Sequence, residues 1–301
     1  MVRQLRLYAP REIMTRISPP TRFALLIAIS LVVGWRPLSG TFELAYLDDQ
    51  YTHILLVIPV ALAMIYLDWQ FLARLFKPDV RTGIILLGLA ILAGVTQFLL
   101  TTSADLHLAL GMLALVIWWI GAFVLCFGAQ ASRALLFPLC FLFLLVPIPQ
   151  VVLKGIVWRL QQGSALSAAF LFNLVGIPVA QDGVILTIPG LTLEVAKECS
   201  SIRSSSMLLV TTLVLAQLYL RSPWRKALIV AIAVPLSVAK NALRIFTIAL
   251  LGTRVDPAFL HGKLHHNGGI VFFLISLAAV VALLWILRHG ERALQPAPAL
   301  S

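Results

Sequence analysis

Residues 199–220 read CSSIRSSSMLLVTTLVLAQLYL. A short polar start, which includes Cys199 and Arg203, leads into a run that is apolar enough to cross a bilayer, since about 20 apolar residues span the hydrocarbon. Ionisable side chains at such positions are expensive in hydrocarbon, so they indicate a functional site by default. This stretch therefore predicts a membrane span with a site at one end.

The composition of the whole chain is that of a polytopic membrane protein. Its 301 residues are 60% hydrophobic and only 12% charged, whereas a soluble domain averages about 25% charged residues. The net charge of +11 comes from basic residues that are scattered over short loops. Membrane topology explains that scatter better than a polyanionic ligand does, so we expect no nucleic-acid partner.

The apolar runs predict an all-α polytopic membrane protein with about eight transmembrane helices. Most basic residues then fall on one side, and the positive-inside rule places both termini in the cytoplasm. Residues 1–22 are predicted to be a basic cytoplasmic N-terminus, 23–288 the transmembrane domain and 289–301 a cytoplasmic tail. The predicted spans are 23–38, 53–68, 82–101, 106–128, 134–149, 199–220, 227–252 and 267–287.

The long connection before the sixth span, residues 150–197, is predicted to lie on the outer side. Residues 151–174 mix charged and apolar side chains at helical spacing, which is typical of an interfacial helix or a re-entrant element. Residues 177–195 contain short β-branched runs divided by a Pro-Gly pair, which predicts a small β-hairpin. The hairpin would form a lid or a platform immediately before Cys199.

Two further polar segments lie inside or against apolar runs: residues 240–244, KNALR, and residues 261–266, HGKLHH. Arg244 lies 18 residues beyond Lys226, which is roughly 27 Å along a helix. That distance places it near the outer face, level with Cys199, and the eighth span begins at the same face. The three polar segments are therefore predicted to meet at one depth.

The residue types in these segments are the parts of a nucleophilic acyl-transfer centre. A helix N-terminus and a cation such as Arg203 favour the thiolate form of Cys199. A histidine would act as general base toward the thiol and as general acid toward a departing amine. Arg244 could hold an oxyanion or a substrate carboxylate, and Asn241 could orient the base or a substrate amide.

Each segment also has an ordinary structural interpretation. A lone cysteine near a charge is usually structural, an arginine near a membrane surface usually reaches lipid headgroups, and a histidine run at a span boundary is usually interfacial. Lysines such as Lys240 are predicted to meet phospholipid phosphates, and an interface anchor is favoured for residues 51–53. Cys126 and Cys140 lie in apolar runs and are interpreted as small hydrophobic residues. No residue spacing indicates a metal, a disulfide framework or an organic cofactor.

At these residues the chain resembles the exosortases, polytopic bacterial cysteine transpeptidase-like proteins related to the archaeosortases. The resemblance runs from about residue 48 to residue 273. The family's Cys-Ser-Gly-Leu-Arg, Asn-x-x-Arg and His-x-x-x-Gly-plus-aromatic motifs, its early Tyr-Ser-His element and its Gly-Ile-Pro-Val stretch correspond to residues 199–203, 241–244, 265–273, 51–53 and 176–179.

Two features depart from the family pattern. Ser201 stands where the family usually has Gly, which alters how closely a substrate backbone can approach. The adjacent His265 and His266 leave the choice of imidazole open; spacing favours His265, and His261 is a distant third.

The resemblance implies a cysteine protease or transpeptidase of the bacterial inner membrane whose site faces the periplasm. Its substrates would be exported envelope proteins that carry a PEP-CTERM-type sorting signal: a short Pro-containing motif, one transmembrane helix and a basic tail. Cleavage near that motif would pass through a thioester. The bilayer is the second expected partner. The implied catalytic residues are Cys199, Arg244 and His265, and the supporting or alternate residues are His266, Arg203, Asn241 and His53.

Two other functions remain open at this point. A transporter or lipid-handling permease would line its path with the same charged residues, although no internal repeat of broken helices supports that interpretation. A non-catalytic scaffold for polysaccharide assembly would tolerate conservative changes in all three segments. The sequence fixes neither the acyl acceptor nor the oligomeric state.

Overall fold

The computed structural model describes residues 18–72, 75–99, 103–195, 202–256, 258 and 263–293; the side chains of residues 70–72, 263–268 and 292–293 are not included in that description. The contacts between Cα atoms divide the chain into two units, residues 1–149 and residues 150–301.

The first unit is helical throughout its described residues. Its α-helices are α1 (Pro19–Val33), α2 (Trp35–Leu47), α3 (Ile54–Leu72), α4 (Val80–Leu99), α5 (Ala104–Phe127), α6 (Ala129–Ala134) and α7 (Leu136–Phe141), with 3₁₀ turns at Asp49–Tyr51 and Leu142–Leu145.

The helices α4 and α5 have the most extensive helix–helix contact of this unit. A Cβ atom added at Gly83 of α4 would lie only 2.4 Å from the Cβ atom of Leu125 of α5, so the two backbones approach closely where the side chain is missing. Such small-residue contacts are the usual way in which helices pack inside a bilayer. Two indole N–H groups of α5 then tie α1 to this hairpin: Trp118 donates to the Leu26 carbonyl, and Trp119 donates to the Ser30 hydroxyl.

Gly34 separates α1 from α2, and the two helices are bent by 73° relative to one another. A Cβ atom at Gly34 would lie 2.3 Å from the Leu115 side chain, so the bend occurs where α5 presses against the chain. The predicted span 23–38 is therefore a broken pair of helices and not one straight rod.

The second unit contains four α-helices and a small sheet among its described residues. The helices are α8 (Gln150–Leu174), α9 (Ile202–Tyr219), α10 (Pro223–Arg254) and α11 (Lys263–Ala293). The strands β1 (Ala180–Asp182), β2 (Ile185–Ile188) and β3 (Leu191–Glu194) form an antiparallel sheet in the order β1-β2-β3.

Two cores organise this unit. The first joins α8, the sheet and α10 through buried residues such as Phe172, Leu186 and Ala249. The second joins α9, α10 and α11 through Leu208, Ile229 and others. Between helices in a bilayer, such cores are stabilised by van der Waals packing and hydrogen bonds, because lipid tails are as apolar as the side chains. The helix α10 belongs to both cores and is the central element of the unit.

The architecture confirms the predicted all-α membrane class. Six described helices are long and apolar enough to cross a membrane, and up to eight spans result if each of two bent helix pairs counts as one. The predicted helix at 151–174 is present as α8. The predicted hairpin is present as β2 and β3, and β1 is a third strand that was not predicted. The run 134–149 forms short helical pieces instead of one continuous helix, and prolines at 138, 147 and 149 account for the interruptions.

Candidate functional site

A stripe of polar side chains runs along one face of α10. Ser237, Lys240, Asn241 and Arg244 follow each other at helical spacing, and their side chains are only 5%, 5%, 2% and 7% exposed. Residues separated by three and four positions share one face of a helix. A buried ionisable stripe in a membrane-spanning helix indicates a functional site by default.

The stripe faces the beginning of α9. The Lys240 ammonium donates a hydrogen bond to the Ser204 hydroxyl, and the Ser237 hydroxyl donates to the Ser205 hydroxyl at 2.5 Å. Ser204 and Ser205 are in the first turn of α9, whose first residue is Ile202. These two bonds fix the N-terminus of α9 beside the stripe. We call them the serine ladder.

The predicted nucleophile, Cys199, lies in residues 196–201, outside the described residues. Both flanks of that segment are held in place. On one side, the backbone of Val195 donates to the Val184 carbonyl at 2.9 Å and accepts from the Gln161 side-chain amide at 2.8 Å. Val195 is 1% exposed and shares a core with Ala242, the neighbour of Asn241. On the other side, the serine ladder holds the start of α9 against the same stretch of α10.

The opposite ends of α9, α10 and α11 are tied together. The Arg225 guanidinium donates to the Leu287 carbonyl at 2.6 Å. The Glu291 carboxylate accepts from the backbone N–H groups of Arg221 and Ser222 at 2.9 and 2.8 Å. The C-terminal end of α11 therefore lies at the turn between α9 and α10, so the C-terminal ends of α9 and α11 and the N-terminal end of α10 are at one level.

Measured from that level, the three predicted site segments lie at similar heights. Arg244 is 19 residues from Arg225, and Ile202 is 18 residues from Leu220, so both lie about 28 Å away along their helices. The backbone of residue 265 is 22 residues from Leu287, or about 33 Å. The first turn of α11 is therefore at the same end of the three-helix bundle as Arg244.

The side chains of His265 and His266 are outside the described residues, as is the whole of His261. The backbones of His265 and His266 lie in the first turn of α11.

Asn241 has an unmet hydrogen-bonding requirement. Both its amide nitrogen and its amide oxygen are buried, and neither has a hydrogen-bond partner among the described residues. A buried polar group without a partner costs about 1–3 kcal/mol, so natural proteins retain few of them without a reason. The Asn241 amide lies one helical turn from Arg244. It is suited to form hydrogen bonds with a group that the described helices do not supply.

The remaining predicted residues occupy different positions. Arg203, the second residue of α9, is exposed. His53 follows the first 3₁₀ turn of the first unit; it is half-buried, and its buried Nδ1 atom has no hydrogen-bond partner among the described residues. Tyr51 is only 3% exposed and donates to the Ile148 carbonyl at 2.8 Å, so it is a packed core residue and not an interface anchor.

The expectation for Lys240 is also corrected. Lys240 was predicted to meet phospholipid phosphates, but its side chain is buried and hydrogen-bonded to Ser204. The missed residues are Ser204, Ser237 and Gln161. A signal for the first two was present: three consecutive serines open an otherwise apolar helix, and Ser237 precedes Lys240 by three positions and Arg244 by seven.

The chemistry available to the stripe is electrostatic. Arg244 has a planar guanidinium that can form two parallel hydrogen bonds with one ligand group, and Lys240 lies one turn away on the same face. Donors held in a water-poor site stabilise a developing negative charge far better than donors in water do. Among the described residues, no three His, Cys, Asp or Glu side chains are grouped as ligands of a metal ion.

A family model for transmembrane exosortases matches residues 35–282. The chain belongs to the exosortase family. The match begins at the first residue of α2 and ends within α11, so it covers most of both units and includes the whole stripe of α10. No curated protein and no solved structure matches this exosortase-family chain.

Proposed function

We propose that this exosortase is a membrane-embedded cysteine protease or transpeptidase that cleaves C-terminal PEP-CTERM-type sorting signals. The observation that carries the proposal is the buried stripe of α10, in which Arg244 and the unpartnered amide of Asn241 lie beside the N-terminus of α9. That N-terminus begins three residues after Cys199.

The reaction has two halves. In the first, the Cys199 sulfur attacks the scissile carbonyl carbon while an imidazole, His265 in preference to His266, takes the thiol proton. Arg244 stabilises the oxyanion, and Asn241 hydrogen-bonds the adjacent substrate amide. The C–N bond then breaks, and the imidazolium returns its proton to the departing amine. This leaves a thioester on Cys199.

In the second half, an acceptor attacks the thioester and restores the thiol. Water as the acceptor gives a protease, and an amine or another nucleophile gives a transpeptidase. Arg203 at the start of α9 supports the thiolate form of the cysteine. His53 is retained as an auxiliary residue.

The proposed setting is the bacterial inner membrane, with the site at the periplasmic face and both termini in the cytoplasm. The partners are exported proteins whose C-terminal helix reaches the site laterally through the bilayer. Two features support this setting: the basic loops, through the positive-inside rule, and the depth of Arg244 near the end of a bilayer-length stretch of helix.

The test is processing of a tagged membrane protein that bears such a signal, co-expressed with the wild-type chain or with a variant. Cys199→Ser should abolish cleavage, whereas the matched control Cys140→Ser should leave it intact, since Cys140 is exposed in the first unit. Arg244→Lys should reduce cleavage at least tenfold, whereas Arg254→Lys, at the exposed end of the same helix, should not.

A thioester intermediate provides a second readout. Wild-type protein should form a covalent adduct with the substrate fragment that hydroxylamine releases, and Cys199→Ser should form none. Equal cleavage by the wild type and Cys199→Ser would exclude the thiol mechanism. A requirement for Arg244 without one for Cys199 would instead favour a transport function.

A further inference from the structure

The first unit contains a cavity of about 630 Å³ that the proposed reaction does not use. It lies between the bent α1–α2 pair and the α4–α5 hairpin, and most of its walls are apolar. Several lining side chains are also exposed on the outside of the helices; Val33 is 81% exposed and Phe98 is 76% exposed. Because α4 and α5 are each long and apolar enough to cross a membrane, we expect these exposed side chains to face lipid.

Polar groups are concentrated at one end of this cavity. His107 and Gln97 line it next to the connection between α4 and α5, and the His107 Nδ1 atom is 2.9 Å from the Gln97 carbonyl oxygen. Arg36 lines the same end, because its neighbour Pro37 and the Gln97 side chain both press against Gly111, one turn from His107. The Arg36 side chain is exposed in the first turn of α2, and an arginine exposed within a bilayer is expensive unless it meets a polar partner.

The depth of the cavity corresponds to one leaflet. Its wall on α5 extends from Ala104 to Trp118, and these 14 residues rise about 21 Å. Half of a bilayer, including its headgroup region, is about 20–22 Å. A ligand with a charged head at Arg36 and an apolar tail along α5 would therefore lie at the depth of an ordinary lipid.

The volume of the cavity decides which of two apolar occupants fits, a lipid tail or a transmembrane helix. A helix about 10 Å wide would need roughly 1,600 Å³ over 21 Å of length, which is more than twice the volume of about 630 Å³ that is present. An acyl chain is far narrower than a helix and fits. The guanidinium of Arg36 prefers phosphate, with which it forms two parallel hydrogen bonds.

We propose that the cavity is a binding site for one anionic phospholipid, whose acyl chain fills the space between α1 and α4 and whose phosphate binds Arg36. The lipid belongs to the leaflet next to the α4–α5 connection. This site is independent of the proposed peptidase activity and can be tested without a substrate.

The experiment uses the full chain in a mild detergent, with phosphatidylglycerol or phosphatidylcholine added and the retained lipid counted by native mass spectrometry. Wild-type protein should retain one phosphatidylglycerol and at least tenfold less phosphatidylcholine, because both lipids carry a phosphate but choline cancels its negative charge in phosphatidylcholine. Gly94→Leu should abolish retention, because Gly94 lines the cavity opposite Ala114. Gly88→Leu is the matched control on the same helix, where an added side chain meets nothing within 4 Å.

A second pair of variants tests the charge. Arg36→Gln should remove the preference for phosphatidylglycerol, whereas Arg133→Gln, an exposed arginine that does not line the cavity, should preserve it. If Gly94→Leu does not fold, Ala114→Leu fills the same space from α5. Retention by the folded cavity-filling variant equal to that of wild type would overturn the proposal. Equal retention of both lipids by wild type would also overturn it.

Discussion

At the scale of single residues, Asn241 combines full burial with two unsatisfied amide atoms among the described residues. Such a group lowers stability, and it is retained where function needs it. We predict that Asn241→Leu raises the free energy of unfolding by about 1–2 kcal/mol, since leucine has nearly the same size and needs no hydrogen bond. The same variant should lose substrate processing.

The check is thermal unfolding in detergent alongside the cleavage assay. Asn173→Leu is the control, because Asn173 is exposed on α8 and its replacement should change neither quantity. A strongly destabilised Asn241→Leu variant would mean that the amide is satisfied within the fold, and the binding role of Asn241 would then be wrong.

The serine ladder provides a second prediction at this scale. Ser204→Ala removes a hydrogen-bond acceptor from the buried Lys240 ammonium, so we expect it to cost about 1–3 kcal/mol of stability. In a Lys240→Met background the same change should cost much less, because the charge is gone. A double-mutant cycle measures this coupling.

Ser206→Ala controls for the loss of a hydroxyl in the same turn of α9. Strict additivity of the Ser204 and Lys240 changes would show that the two side chains do not stabilise each other.

Prediction from sequence could give the position of a residue along its helix, but it could not give that residue's partner in another helix. Arg244 and Asn241 were placed at one end of a span by counting residues, and the structure brings both into the stripe. Lys240 was assigned to lipid because a lysine can snorkel from many positions. Its partner, Ser204, lies 36 residues away in another helix, and no local pattern shows which face of α10 meets α9.

At the scale of helices and strands, the close approach of α4 and α5 depends on glycine. A Cβ atom at Gly83 would contact the Leu125 backbone at 2.6 Å, whereas one at Gly88 would meet nothing within 4 Å. We predict that Gly83→Ala destabilises the first unit by about 1–3 kcal/mol through overpacking. Gly88→Ala should be neutral or slightly stabilising, because alanine favours helix.

Thermal unfolding of the two variants side by side is the measurement, since the substitution and the helix are the same. Equal unfolding temperatures would show that α4 and α5 separate without cost at this point.

The link between α8 and the sheet gives the next prediction. Gln161→Leu leaves the buried Val195 carbonyl without the side-chain donor it has now, which should cost about 1–3 kcal/mol. Gln162→Leu changes the neighbouring, less buried glutamine in the same way and should cost little.

Limited proteolysis reports this effect locally. Because Gln161 hydrogen-bonds the Val195 carbonyl, we expect a protease to cut between residues 195 and 202 faster in Gln161→Leu than in Gln162→Leu. Identical cutting would show that Gln161 does not hold the segment that carries Cys199.

Hydropathy predicted most helices because apolar length alone decides whether a segment can cross a bilayer. It missed the bend at Gly34, since the close approach of Leu115 comes from a helix about 80 residues later. It also missed β1, whose three residues are all exposed and carry no alternating pattern. Register pairs such as Ala180 with Thr187 depend on the whole sheet.

At the scale of the molecule, the family match covers residues 35–282 and so includes most of both units. The sequence motifs had pointed to the same family from residues distributed between 51 and 273. Two observations agree on the family: a few chemically specific residues, and a family model that matches residues 35–282. The choice between water and another acceptor depends on the second substrate, about which neither the motifs nor the helices carry information.

The length of α10 has a consequence for the membrane itself. Its 32 residues extend about 48 Å, and even at a tilt of about 40° they would cover about 37 Å along the bilayer normal, more than the roughly 30 Å of hydrocarbon. One end must therefore stand in the headgroup layer. With Arg225 at one boundary of the hydrocarbon, Arg244 lies close to the other. The thickness of the bilayer therefore decides whether the stripe lies in the hydrated headgroup layer or in the hydrocarbon.

We therefore expect substrate processing to depend on hydrophobic mismatch. In vesicles of increasing acyl-chain length, the rate should fall several-fold once the bilayer thickens by a few Å, because mismatch costs a fraction of a kcal/mol per Å. Thermal unfolding in the same vesicles separates this effect from loss of fold. A rate that is independent of thickness would place the stripe well away from the boundary. If the rate does depend on thickness, a cell that alters the chain length of its lipids also changes the rate at which this protein processes its substrates.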